Sequence, residues 1–337
     1  MRILVTGSAG HLGDALMRTL RARGNDAIGL DLLPSPTTDV VGSIAERGVV
    51  RACMAGVDAV LHAATLHKPH VATHTRQAFV DVNVTGTLNL LEEAATAGVK
   101  SFVFTSTTST FGRALVPPPG APAAWITESV VPVPKNIYGA TKVAAEDLCQ
   151  LMQRDSGLPC LVLRTSRFFP EDDDDRAASS AYDGDNLKVS EFLYRRVDIE
   201  DVVDAHLLAL REAPRIGFGR YIVSATTPFT PEDLPELRRD AAAVVRRRAP
   251  EFDAVYAQRG WTMVPTIDRV YVNERARREL GWRPKHDFAA VIARLRSDPD
   301  PRSPMARQVG AKGYHRSAPA SVPASPLPTS AAQDRTP

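Results

Sequence analysis

Tyr138 and Lys142 stand four residues apart in the stretch YGATK. On a helix that spacing puts both side chains on one face. A lysine ammonium beside a phenol favours the phenolate, which makes the tyrosine a usable general acid/base near neutral pH. Three hydroxyls, Ser106, Thr107 and Thr108, follow the apolar run KSFVFT in FVFTSTTSTFG. The C-terminal end of a buried strand is where open α/β sheets bind ligands. Such a set can move a proton on and off an alcohol oxygen.

The first thirty-one residues offer a place for the other half of that chemistry. Residues 2–6 (RILVT) read as a strand buried on both faces. Gly7, Gly10 and Gly13 follow in TGSAGHLG, with His11 and Leu12 between the last two. Residues 14–23 have helical periodicity, Gly24 closes the helix, and a second apolar run, 27–30, ends at Asp31. Strand, glycine turn, helix, strand and acid make the βαβ unit that binds a dinucleotide. The glycines allow a tight turn, close approach of the diphosphate, and close packing of helix on strand. The helix N-terminus offers unpaired N–H groups to the anion. Asp31 lies where a carboxylate accepts from an adenosine ribose and repels a 2′-phosphate, and no basic residue follows before Arg47. NAD is therefore expected, with NADP less suited.

Further elements must position these residues. Strands are expected at 58–64, 100–105, 161–164 and 221–224, and helices at 44–55, 76–97, 136–154, 199–213 and 231–248. The alternation implies an α/β fold, a Rossmann-type doubly wound parallel sheet with helices on both faces. Beyond about residue 165 the pattern becomes irregular. The expected organisation is residues 1–165 as the dinucleotide-binding domain and 166–297 as a small C-terminal α/β substrate subdomain interleaved with the last strands. Residues 298–337, rich in Pro, Ser and Ala, read as a disordered tail, of which 303–316 could rest on the core.

Composition narrows the classes. Apolar residues make up 44% and charged residues 24% of the 337, as in globular domains. A net charge of +2 without a basic block argues against a nucleic-acid partner. No apolar run approaches the 18 residues of a membrane span. Cys53, Cys149 and Cys160 are scattered without CxxC spacing, which suits a reducing cytoplasm and suggests neither disulfides nor zinc. His62, His67, His70 and His74 give no metal geometry. The acidic run 171–175 reads as a solvated loop, so no metal is expected.

TGSAGHLG, DAVLHAA, NVTGTLNLLEEA, FVFTSTTSTFG, YGATK and, near the C-terminus, LGWRP occur in this order and at spacings that resemble the extended short-chain dehydrogenases/reductases, the NAD-dependent epimerase/dehydratase group. The resemblance covers residues 1–290. It implies Tyr138 as the catalytic acid/base, Lys142 as the residue that tunes it and holds the nicotinamide ribose, and Thr107 as the hydroxyl that orients substrate. It also implies that Asp58 fixes the adenine end, that Ala63 and Ala64 line the cofactor groove, and that Asn83 supports the site. A homodimer is the family's habit.

Departures bear on the substrate. Arg167 stands where nucleotide-sugar epimerases carry an Asn, and Tyr194 where they carry a phosphate-binding Arg, although Arg195 and Arg196 follow it. The segment between Pro170 and Arg195 looks short for a nucleotide grip. These features point to a small sugar-like or carboxylated substrate undergoing hydride transfer at a secondary alcohol or ketone carbon. His67 and Lys68 in the loop after the third long strand, with Thr108 and Arg167, are its candidate contacts. Nucleotide-sugar epimerisation or dehydration is the alternative enzymatic reading, and a non-catalytic NAD-binding sensor the alternative from another class.

Overall fold

Apolar runs without polar alternation form strands that helices cover on both sides. In the computed structural model, which describes residues 1–171 and 182–313, nine strands form. They are β1 (Arg2–Thr6), β2 (Asp26–Asp31), β3 (Val40–Val41), β4 (Ala59–His62), β5 (Ser101–Thr107), β6 (Ala124–Ile126), β7 (Cys160–Thr165), β8 (Phe218–Val223) and β9 (Arg269–Tyr271). Seven make one parallel sheet in the order β3-β2-β1-β4-β5-β7-β8, and β6 pairs with β9 in a small second sheet. The order reverses between β1 and β4, the switch point at which such sheets open a crevice beyond their C-terminal ends.

Seven helices matter to that crevice: α1 (His11–Ala22), α2 (Arg47–Cys53), α3 (Arg76–Val80), α4 (Gly86–Thr96), α5 (Ile137–Ser156), α6 (Gly184–Glu191) and α7 (Ile199–Ile216). Leu12, Leu16 and Leu20 of α1 bury with Val202, Val203 and Ala209 of α7 against one face of the sheet. Leu90, Leu91 and Ala94 of α4 bury with Ala145 and Cys149 of α5 on the other. The helix expected over 76–97 is interrupted by a π turn at Asp81–Thr85, which carries the buried Asn83. Such turns mark places where a side chain has been re-aimed.

Residues after 165 do not separate cleanly from the sheet. The helix α7 and the strand β8 return to it, while α6 and residues 229–295 build a second apolar core. The helical run expected over 231–248 breaks at Asp240, whose side chain accepts from Ala243 N and starts a new helix. Residues 303–309 also differ from a simple tail. Ser303 caps a helix, Pro304–Val309, whose Met305, Ala306 and Val309 pack on the first core. Residues 314–337 lie outside the described residues.

The stretch LGWRP ties the parts together. Trp282 is fully buried and its Nε1 donates to Asp201 O on α7 at 3.0 Å. The Asp201 carboxylate accepts from Lys285 N (2.8 Å) and His286 N (2.9 Å). Burial raises its pKa to about 6 despite these donors. Asp201→Ala is expected to strand both amides, at roughly 1–3 kcal/mol for each group left unsatisfied. A lowered urea midpoint with an unchanged slope checks this.

Candidate active site

Beyond the C-terminal ends of the strands lies a cavity of about 1140 Å³, larger than a single drug-sized ligand requires. One end is the turn after β1. Gly7 has φ +73°, a conformation open to glycine, and a Cβ added at Gly13 would sit 1.9 Å from Gly7 O. The turn therefore forms a cradle that side chains would fill, with the N-terminus of the twelve-residue α1 facing it. Asp31 lines the same end, accepting from Ala9 N at 3.0 Å and Leu33 N at 2.9 Å, which fixes its carboxylate beside the turn. Ala63 and Ala64 form the neighbouring wall, held by Thr6 through its carbonyl and hydroxyl. A dinucleotide fits this donor set and shape.

At the other end Thr107, at the end of β5, and Tyr138, in the first turn of α5, line the cavity together. Asn136 caps α5 by accepting from Gly139 N, which sets where Tyr138 begins its turn. Burial pushes the Tyr138 phenol up to about 12, and a hydrogen bond with Thr107 opposes the shift. His67, Lys68, Thr108 and Arg167 line the same half, and the Arg167 guanidinium lies 5.1 Å from the Phe169 ring centre.

The family model for the NAD dependent epimerase/dehydratase family matches residues 3–223. The chain belongs to this family. Among its relatives, a UDP-glucose 4-epimerase of Rhizobium meliloti is 28% identical, with 86% of this chain and 94% of that enzyme aligned. A dTDP-glucose 4,6-dehydratase of Streptomyces antibioticus is 30% identical over 87% of this chain and 91% of the enzyme. A short-chain dehydrogenase/reductase superfamily protein of Agrobacterium tumefaciens, solved with bound NAD, is 25% identical, with a TM-score of 0.62 over 88% of this chain and 98% of that one. This epimerase/dehydratase-family chain is accordingly an NAD-dependent enzyme with the extended short-chain fold.

Several expected site residues stand elsewhere in this family member. Asp58 lies just before the N-terminal end of β4, across the sheet from the cavity, where it accepts from Arg2 N at 2.7 Å. Its carboxylate serves a strand end and does not line the cavity. Asn83 does not line the cavity. It accepts from Leu66 N (2.8 Å) and donates to Leu66 O (2.9 Å) and Thr141 Oγ1 (3.1 Å), so it joins the loop after β4 to α5. Lys142 is buried behind the wall, its Nζ donating to Thr105 O at 2.7 Å and lying 3.9 Å from the Phe104 ring centre. Burial lowers it to about 7, with the Glu146 charge opposing. The expected depression of the phenol by Lys142 is thus not what the geometry produces. Lys142 faces strand backbone, and desolvation governs both groups. Arg164, on β7, is committed to Glu146 at 2.6 Å.

Other residues were not singled out by sequence. Lys135, Arg269, Tyr271 and Lys312 line the cavity beside Arg195, brought from four separate segments. Arg195 lies one place after the position where a phosphate-binding Arg was sought, and Tyr194 packs against the second core. His62 is buried between Thr6 and Thr87 hydroxyls, at 2.7 and 3.0 Å, and burial holds it neutral. Of the acidic run, 172–175 lie outside the described residues, and Glu171 pairs with His11 at 3.1 Å.

Glu146 stands one turn after Lys142 and accepts from Ser106 Oγ (2.5 Å), Arg164 and Arg220. Glu146→Gln leaves Arg164 buried beside a neutral amide, a loss expected to cost about 3–5 kcal/mol. It also removes charge that holds Lys142 up, so Lys142 should release its proton at lower pH. Denaturant unfolding and an NMR pH titration of the lysine ε-carbon check the two effects separately.

Proposed function

We propose that this chain catalyses NAD-dependent hydride transfer at a secondary alcohol or ketone carbon of a small sugar-like or carboxylated substrate. The observation that carries the reading is the meeting of Tyr138 and Thr107 at the end of the cavity opposite the glycine cradle. Gly7, Gly10, His11, Leu12 and Gly13 hold the diphosphate, Asp31 the adenosine ribose, and Ala63 and Ala64 the groove between. When bound, NAD supplies the hydride acceptor and a positive ring charge that lowers the pKa of a neighbouring phenol. Thr107 donates to or accepts from the substrate oxygen and orients it. In the oxidative direction the Tyr138 phenolate takes the hydroxyl proton as the carbinol carbon gives up its hydride, leaving a ketone. Lys142 is a positioning residue, tying α5 to β5 through Thr105 O, and Asn83 steadies the same helix through Thr141.

The substrate half presents basic side chains. Lys68, Lys135, Arg167, Arg195 and Arg269 line the cavity, and Asp31 at the far end is the carboxylate among its described lining residues. That charge suits a carboxylate or phosphate on the substrate. A nucleotide-sugar epimerisation, in which the hydride returns to the substrate, is the second reading, and the similarity to UDP-glucose 4-epimerases supports it. Sugar acids, small alcohols and nucleotide sugars offered to the protein with NAD separate the two. Net NADH absorbance is expected, whereas interconversion of sugar epimers with no NADH released would replace the first reading by the second.

The setting follows the same logic. Three buried free cysteines suit a reducing cytoplasm. Among the described residues no helix is long and apolar enough to cross a membrane. The helices α4 and α5 lie side by side and leave Leu151 half exposed, which suits a homodimer built through that face.

Tyr138→Phe keeps the ring and removes the hydroxyl. Turnover is expected to fall roughly 10²–10⁴-fold with NAD affinity and melting temperature little changed. Near-normal turnover would reject the proton-transfer role. Asp31→Ala is expected to weaken NAD and narrow its advantage over NADP. Titration of both nucleotides against both proteins checks this, and tighter NADP binding by the natural chain would overturn it.

A further inference from the structure

Two carboxylates, Asp14 and Glu171, stand just behind the cradle end of the cavity. Asp14 lies in the first turn of α1, buried, three residues after His11. Glu171 comes to the same place from the segment after β7, its Oε1 3.1 Å from His11 Nε2. Two carboxylates beside a bound diphosphate repel it, and the low polarisability of a buried site enlarges the effect.

Both are met by one short piece of chain, the residues after the helix Pro304–Val309. Lys312 Nζ lies 2.7 Å from Asp14 Oδ2. The backbone N–H groups of Lys312 and Gly313 both donate to Glu171 Oε1, at 3.0 and 3.3 Å. Lys312 and Gly313 themselves line the cavity with Gly10, His11 and Leu12. The segment is anchored rather than draped. Ser303 is fully buried with its Oγ 2.7 Å from Asp198 Oδ1, Val309 is buried, and the helix packs on α1 and α7. Arg18 also pairs with Asp14 at 2.7 Å, but its side chain is 42% exposed against 26% for Lys312 and so better screened.

We propose that residues 303–313 form a strap across the diphosphate end of the dinucleotide cleft, and that Lys312 makes the site acceptable to a diphosphate by cancelling the charge of Asp14. The strap then contributes to cofactor binding from outside the βαβ unit. It acts on the phosphates and not on the adenosine or the substrate. The inference rests on the diphosphate lying at the N-terminus of α1, as assigned under the proposed function.

Calorimetric titration of the full chain with ADP-ribose and with adenosine tests it. ADP-ribose carries the diphosphate; adenosine carries none. Lys312→Ala is expected to weaken ADP-ribose about tenfold or more, the scale of one charge-assisted contact, and to leave adenosine within twofold. Lys312→Arg should retain most of the affinity. Adding Asp14→Asn to Lys312→Ala should restore ADP-ribose binding, because the unpaired carboxylate is then gone. Unchanged ADP-ribose affinity in Lys312→Ala overturns the proposal, and so does a double variant that stays weak. Equal weakening of both ligands also overturns it, since the strap would then serve only the fold, and a thermal melt of each variant identifies that case. Asp31→Ala measured in parallel keeps the premise separate. If Asp31→Ala weakens ADP-ribose and Lys312→Ala does not, the strap alone fails; if neither does, the placement of the dinucleotide fails with it.

Discussion

The carboxylate of Glu146 holds the Tyr138 end of the cavity in register. It projects from α5 into the sheet and meets Ser106 on β5, Arg164 on β7 and Arg220 on β8. One turn earlier on the same helix face Lys142 reaches Thr105 O, and one turn before that stands Tyr138. A single buried charge thus fixes the rotation and the height of α5 against three strands. Buried ion pairs add little net stability against a well-packed apolar substitute, but losing one partner is costly. The network therefore selects one packing of α5 on the sheet, and Tyr138 depends on that packing to face Thr107.

Electrostatics divides the cavity in two. At the cradle end, backbone N–H groups and the axis of α1 favour an anion, and the nearby acids Asp14 and Glu171 each have cationic or N–H partners. At the substrate end, arginines and lysines from separate segments crowd one wall. At the Tyr138 end, and behind its wall, sit groups whose titration burial controls, a phenol pushed up to about 12 and an ammonium pulled down to about 7. Desolvation works against both charged forms, so cofactor and substrate charge must complete the balance that the protein alone leaves uneven.

The stretch 280–286 is fastened to the first core through buried polar contacts. Trp282 and the Asp201 carboxylate join the stretch 280–286 to α7, and α7 packs on the sheet beside α1. The cavity wall that carries Arg269 and Tyr271 comes from β9, which pairs with β6 and whose Tyr271 N donates to Tyr194 O at 3.1 Å. The cavity is in this way lined from both parts of the chain.

What the sequence determined by itself is local. Gly7, Gly10, Gly13 and Asp31 lie within one βαβ unit, where strand, turn and helix fix their relation through a few dihedral angles. Tyr138 likewise follows from one helix start and one cap. The tertiary structure decided the rest. Asp58 and Asp31 are both acids at strand ends, but only the direction of the strand tells which end faces the crevice. Lys142 shares a helical face with Tyr138, yet strand β5 takes its ammonium. Arg195, Arg269 and Lys312 lie more than 130 residues from Thr6 in sequence and reach the cavity through long-range packing. Periodicity records which face of an element is buried, but not what lies against that face, so residues assembled from distant segments leave no local signal.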